Sequence, residues 1–397
     1  MKVAILLGRG IEGCGVTRYA IEFQYWLKKN GHECDVFASS DKKFMFTQQS
    51  DIISFPNDAI SGLRNKLNDN YDVVFYQSLP AKPKGGHTKG HSIEYSELFF
   101  TELVQGVLRP KKVAIQLDHN IQSLSRNYKM WETMGALDAV FTHSLTSTFA
   151  KKMAEFNPDV PVLKMGLGFD FDSLLPFWQK KQIPKLTYFS RYAPFKDPKR
   201  MLDLFPLLQK ADIITELLGV QRTIGAAKEF YIPNLHNIQE MQVIDGEHVT
   251  RYINGKANHQ PIVKDLSKIW AYQKYERAQG LQQLSEAMFG ADFYNMPAEM
   301  YGDNMEFAMC EIPAVGTIPV FDKHWADNCM HDMGFLFKDF KDFAIYSDRN
   351  DLQATVDEMK MLVQDKDKRE LRRKRCFEVA KAHCDSDLVY GKIIAQL

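Results

Sequence analysis

A chain of 397 residues, 45% of them hydrophobic, is long enough for two cores, because a single core stops growing at roughly 250 to 300 residues. Lysine plus arginine and aspartate plus glutamate both total 50, which excludes a global field drawing in polyanions and leaves any nucleic-acid contact to a local patch. The six cysteines, Cys14, Cys34, Cys310, Cys329, Cys376 and Cys384, lack paired spacing, so they give neither a disulfide framework nor a CxxC metal site and point to a reducing cytoplasm. The first apolar run is short and enters a charged turn, unlike a signal peptide, and no run is long enough to span a membrane.

Strands are predicted over VAILL (3–7), ECDVFA (33–38), DVVFYQ (72–77), KVAIQL (112–117) and AVFTHS (139–144). Between the first two, TRYAIEFQYWLKKNG sets Tyr19, Phe23, Trp26 and Leu27 at helical spacing, with Gly31 placed to cap the end. Strand alternating with helix predicts a parallel, doubly wound sheet for the first half. Segment 162–185 breaks this rhythm with two glycines and two prolines, which puts a linker at about 166–182. Strands resume with LTYFSR (186–191), ITELLGV (214–220), GTIPVFD (316–322) and GFLF (334–337). Residues 230–280 are too polar and aperiodic to assign, and a charge-rich helix over 362–384 closes the chain.

RGIEGCGVT (9–17) joins the first strand to the first helix. Glycine there lets a ligand approach the backbone, and the helix that follows offers free N–H groups to negative charge. Gly8, Gly10 and Gly13 match the count of a GxGxxG fingerprint, but the helix is expected to begin only near Thr17. A tight turn without a ligand and a cleft-facing loop both fit. A nucleotide- or NAD-binding protein without transfer chemistry is a further reading, against which the poor GxGxxG match stands.

The string RGIEGCGVTRYAIEFQYWLKKNGHECDV resembles the N-terminal segment of the DNA α-glucosyltransferases of T-even bacteriophages, which are GT-B enzymes. YDVVFYQSLPA (71–81), QLDHNIQSLSRN (116–127), DAVFTHS (138–144) and the ME, CE and VGTIPVF of MEFAMCEIPAVGTIPVF (305–321) follow in the family's order. The likeness covers most of the first half and a short block of the second. It implies an α/β GT-B fold, two Rossmann-like doubly wound domains facing across a cleft. Residues 1–170 would be the acceptor (DNA) domain and 183–375 the nucleotide-sugar domain, with 376–397 a C-terminal helix able to pack back on the first.

Each chemical requirement of a nucleotide-sugar transferase has candidates. For the diphosphate, FSRYAPFKDPKR (189–200) sets Arg191 and Lys196 after a strand, a fork and a point charge for phosphate. It is similar to the GR-x(4)-KG element of retaining GT-B enzymes, with Ser190 and Asp197 replacing the glycines; a solvated basic loop is the plain alternative. Gly13 and Gly15 in the first loop, and Gly219 with Arg222 just after it, are further places where the family touches the nucleotide. Glu306 and Glu311 precede Gly316, and carboxylates accept sugar hydroxyls. Residues five apart do not share a helix face, so Glu306 is expected in the preceding loop and Glu311 in the helix. The resemblance implies that Glu311 takes the ribose hydroxyls and Glu306 the sugar beside the anomeric carbon. A covalent Glu306 and a front-face route without one both remain open.

For the acceptor, Asp118 and His119 end a strand at the carboxyl edge of the sheet, where Asp118 could orient or deprotonate a hydroxyl and His119 support it. A helix N-cap is the alternative for Asp118, and Leu117 stands where some relatives carry a histidine. His143 reads as a core or capping residue. AKPKGGHTKGH (81–91) supplies Lys82, Lys84 and Lys89 for phosphates, with Arg126 expected nearby in the same domain. The expected reaction is transfer of a sugar from a UDP-sugar to 5-hydroxymethylcytosine in double-stranded DNA, in the cytoplasm of an infected host. UDP-glucose is the default donor and UDP-arabinose the alternative. A GT-B enzyme with a non-DNA acceptor is the rival, against which stands the lack of a membrane-facing amphipathic stretch. Arg191 and Lys196 can neutralise the leaving group, so no metal is required, and Mg²⁺ stays open as an assisting ion.

Overall fold

The computed structural model describes residues 1–7, 15–39, 52–55, 59–77, 99–116, 128–143, 145, 147–179, 182–191, 196–220, 238–243, 266, 269–274, 277–295, 307–328 and 338–397. The first half carries β1 (Lys2–Leu7), α1 (Gly15–Lys29), β2 (Glu33–Ser39), β3 (Ile52–Phe55), α2 (Ile60–Asn70), β4 (Val73–Gln77), a π-helical stretch (Phe99–Gln105) and β5 (Lys111–Gln116). It continues with α3 (Tyr128–Met134), β6 (Ala139–Thr142), α4 (Thr148–Phe156), β7 (Val162–Lys164) and α5 (Phe171–Leu174). The second half carries β8 (Ile183–Arg191), α6 (Lys199–Lys210), β9 (Ile214–Val220), β10 (Ile238–Val243), β11 (Ile269–Lys274), α7 (Arg277–Ser285) and β12 (Ala287–Asp292). After these come α8 (Phe307–Ala314), β13 (Ile318–Asp322), α9 (Lys323–Asn328), β14 (Ile345–Ser347), α10 (Leu352–Gln364), α11 (Lys366–Cys384) and α12 (Ser386–Ala395).

Among the described residues the strands form two parallel sheets, ordered β3-β2-β1-β4-β5-β6-β7 and β10-β11-β9-β8-β12-β13-β14. The first contains the doubly wound order 3-2-1-4-5-6, and the second repeats it from β8 as first strand once β10, added at the edge beyond β11, is set aside. Period-two alternation buries both faces. Val3, Ile5 and Leu7 join Tyr19, Phe23 and Leu27 of α1, while Ala4 and Leu6 enter a separate core on the other face. Gly31 ends α1 as expected: at φ 77° its N–H donates to Lys28 O at 3.1 Å and that of His32 to Leu27 O at 2.9 Å. Gly316, also at φ 77°, closes α8 with the same pair of bonds, to Pro313 O and Ile312 O.

Several expectations need correcting. Helix α1 begins at Gly15, not near Thr17. The charged stretch 362–384 is not one helix, because Asp365 ends α10 and its side chain accepts from Lys368 N–H at 2.9 Å to start α11. Nor does that helix close the chain: α11 runs through position 376, breaks at Asp385, and α12 follows. The linker contains α5, a 3-10 turn over Leu175–Phe177 and a bridge from Phe169 to Asp385. Within 230–280 lie β10 and β11, and the central strand β12, AMFGAD, was not anticipated at all. GFLF lies outside the described residues.

The two halves share one apolar cluster, which runs from β1 and α1 through Phe169 and Phe171 to α8 and α12. Tyr390 of α12 stacks on Phe23 at 4.8 Å, meets Tyr19 edge-on at 5.4 Å, and its hydroxyl donates to Gly168 O at 3.0 Å. Trp26 Nε1 donates to Asp387 Oδ1 at 2.6 Å. The chain thus ends on the first sheet's side after crossing beside its own linker, where Phe169 N–H donates to Cys384 O and Ser386 N–H to Phe169 O. Among the described residues no helix is long and apolar enough to cross a membrane.

Candidate functional site

Strand order reverses between β1 and β4 in one sheet and between β8 and β12 in the other. Ligands of open α/β sheets bind at such switch points, outside the carboxyl ends of the strands. At the second switch point Lys196, just beyond β8, and Asp292, the last residue of β12, meet at 3.6 Å with exposures of 1% and 0%. The Lys196 ammonium also stands over the Tyr294 ring at 4.9 Å. The next residue, Asp197, has φ 43°, the left-handed conformation that the glycine of a KG pair adopts freely and that Asp tolerates better than most residues. Its carboxylate accepts from Arg200 Nη2 at 2.8 Å and Nε at 3.0 Å. Buried Arg200 also bonds Asp322, which accepts in addition from Arg349 Nε at 3.3 Å and caps α9 through Trp325 N–H at 2.6 Å. Two arginines and two aspartates therefore neutralise one another beneath the loop that carries Lys196, as buried charges must. Arg191 ends β8, and Ser190 pairs in register with Gly219 of β9.

A second group lies between the sheets. Gly15 opens α1, and a Cβ there would stand 3.3 Å from the Phe307 ring at the start of α8. Glu311 sits one turn further along α8, 4% exposed. Arg18 of α1 reaches across, with Nη1 at 2.6 Å from Glu311 Oε1 and its guanidinium 4.5 Å from the Phe307 ring centroid and 5.2 Å from that of Phe169. Burial alone would depress the Arg18 guanidinium, but Glu311 and then Glu22 outweigh it and hold it above its usual value.

Of the expected site residues, Gly15, Lys196, Gly219 and Glu311 are thus located, and Arg191 is placed by its backbone. Gly13, Lys82, Lys84, Lys89, Asp118, His119, Arg126, Arg222 and Glu306 lie outside the described residues. His143 follows β6 and is buried, near Ser147, whose side chain caps α4. Sequence reasoning missed Arg18 and Asp292. Arg18 was legible as a cation in the first turn of the helix after the glycine-rich loop, where a dipole favours anions. Asp292 ends a strand that carried no strand signal. Among the described residues no group of three His, Cys, Asp or Glu side chains is placed to hold a metal ion.

Two doubly wound parallel sheets joined across a cleft by the linker and a returning C-terminal helix define a GT-B fold. The family model for DNA alpha-glucosyltransferase matches residues 14–167. The DNA alpha-glucosyltransferase of Enterobacteria phage T4 is 26% identical, with 98% of each chain covered. Among solved structures, an alpha-glucosyltransferase in complex with UDP-glucose and DNA containing an abasic site superposes with TM-score 0.78 at 24% identity, covering 100% of this chain and 99% of that one. An alpha-glucosyltransferase with UDP and a 13-mer DNA containing a HMU base gives TM-score 0.78 at 23% identity, with 100% and 98% covered. These superpositions bear on the fold. The resemblance to the DNA alpha-glucosyltransferases extends along the whole chain, through the second half where the sequence blocks are short.

Proposed function

We propose that this chain is a glycosyltransferase that moves glucose from UDP-glucose to 5-hydroxymethylcytosine in double-stranded DNA, in the cytoplasm of an infected host cell. The observation that carries the reading is Glu311, a buried carboxylate of the second half held by Arg18 from the helix that follows the glycine-rich loop of the first. A carboxylate fixed between two switch points is suited to the hydroxyls of a nucleotide's ribose, and the full-length likeness to the phage T4 DNA alpha-glucosyltransferase supports glucose as the sugar and DNA as the class of acceptor. In this reading 1–170 is the acceptor half and 183–375 the donor half. Arg191 and Lys196 take the diphosphate at the β8/β12 switch point, where the phosphates compete with Asp292 for the ammonium. Gly13, Gly15, Gly219 and Arg222 line the nucleotide, and Glu306 faces the sugar. Asp118 and His119 orient the acceptor hydroxyl, while Lys82, Lys84, Lys89 and Arg126 track DNA phosphates.

The test is nucleoside mass spectrometry after incubating the purified protein with hydroxymethylcytosine DNA and, separately, UDP-glucose and UDP-arabinose. A hexose on the nucleoside is expected, and none with Glu306→Gln. A pentose instead would replace the donor, and no adduct in the presence of a bound UDP-sugar would remove the DNA acceptor.

A further inference from the structure

Arg18 lies on α1, in the half of the molecule built on the first sheet, and Glu311 on α8, in the half built on the second. Their 2.6 Å ion pair is almost closed to solvent, with side-chain exposures of 18% and 5%. A buried carboxylate without a countercharge is costly, and Arg18 supplies that charge through a planar fork. The fork is itself held from three sides. Phe307 and Phe169 lie within cation–π distance of it, and Glu22, one turn along α1, accepts from Nη2 at 3.4 Å. Gly15 leaves the room that brings α1 this close to Phe307. Arg18 therefore fixes one oxygen of Glu311 and, through it, the orientation of the carboxylate.

We propose that Arg18 is a positioning residue for nucleotide recognition: it reaches from the acceptor half and orients Glu311 of the donor half to accept the ribose hydroxyls. The proposal rests on the ribose reading of Glu311. It makes discrimination for ribose depend on the two halves standing together, since neither half holds both members of the pair.

Isothermal titration of UDP and of 2′,3′-dideoxy-UDP reads ribose discrimination as a ratio of affinities. The unaltered chain should favour UDP by about tenfold or more, as expected for a charge-assisted hydrogen bond. In Arg18→Met the ratio should fall to about twofold, while Arg18→Lys, which returns a charge to Glu311, should keep about half of it. Arg18→Gln gives the same readout as Arg18→Met should the latter not fold. A full ratio in the neutral variants overturns the proposal, and so does equal collapse in Arg18→Lys, which would assign the effect to packing between Phe169 and Phe307. The ribose reading is tested apart from this by Glu311→Gln. A full ratio there, or none in the unaltered chain, removes that reading and the proposal with it, whereas loss in Glu311→Gln but not in Arg18→Met removes the proposal alone.

Discussion

Gly316 and Cys34 show how single positions carry constraints that a composition does not display. At Gly316, φ is 77° and a Cβ would meet Trp178 at 2.8 Å and Arg373 at 2.9 Å. Strain at positive φ and forced repacking add up in Gly316→Ala, with an expected loss of about 2 to 5 kcal/mol, read as a lower urea midpoint. Cys34 is buried, and that burial, with Asp35 beside it, pushes its thiol up from an ordinary value of 9.0 to about 12. A raised folded value means that the contribution to stability is complete below pH 9.0. It is lost as pH climbs toward about 12, because the unfolded thiol ionises first. The urea midpoint should therefore fall between pH 8 and pH 10, and fall less in Cys34→Ala. An equal fall in both would place the alkaline sensitivity elsewhere.

At the scale of elements, α12 is where the chain's end becomes structural. Tyr390 packs among Tyr19, Phe23 and Trp26 and bonds Gly168, where no side chain would fit beneath its ring. Tyr390→Ala should cost about 3 to 5 kcal/mol and Tyr390→Phe about 1, measured by equilibrium unfolding. Similar losses in both would mean that the hydroxyl, not the ring, holds α12. The elements differ in how legible they were. Helix α1 announced itself because its apolar stripe and its Gly31 cap are both local signals. Strand β12 did not, because Gly290 stands where a Cβ would lie 2.7 Å from Ile312 of α8. The packing of that helix demanded a small residue, and this removed the β-branched signature by which strands are recognised. Asp365 divides the charge-rich C-terminal stretch and Asp385 separates it from α12, and a capping aspartate in or beside a run of charges is easily read as one more helix-surface residue.

For the whole molecule, the balance of 50 basic and 50 acidic residues means that the proposed DNA binding must come from a local patch. Plotted as log K against log salt, binding should have a negative slope, and each of Lys82→Ala, Lys84→Ala and Lys89→Ala should make it shallower by about 1 while weakening binding to all sequences alike. Slopes unchanged in all three would remove the basic loop from the DNA path. If UDP binds across the two halves as proposed, it should also raise their common melting temperature. At about 100 times Kd the linkage amounts to about 2.7 kcal/mol, and Arg18→Met should reduce the shift at a fixed UDP concentration.

Alternation of apolar strands and amphipathic helices was enough to read the first parallel sheet and to place several strands of the second half, since period and glycine placement are local properties of the chain, while the pairing of two such sheets came from the family resemblance. The ordering of strands, the return of the C-terminus onto α1 and the partnership of Arg18 with Glu311 could not be read that way. Each depends on which distant surfaces meet, and residues almost three hundred positions apart become neighbours through the shared apolar cluster rather than through any pattern they carry themselves.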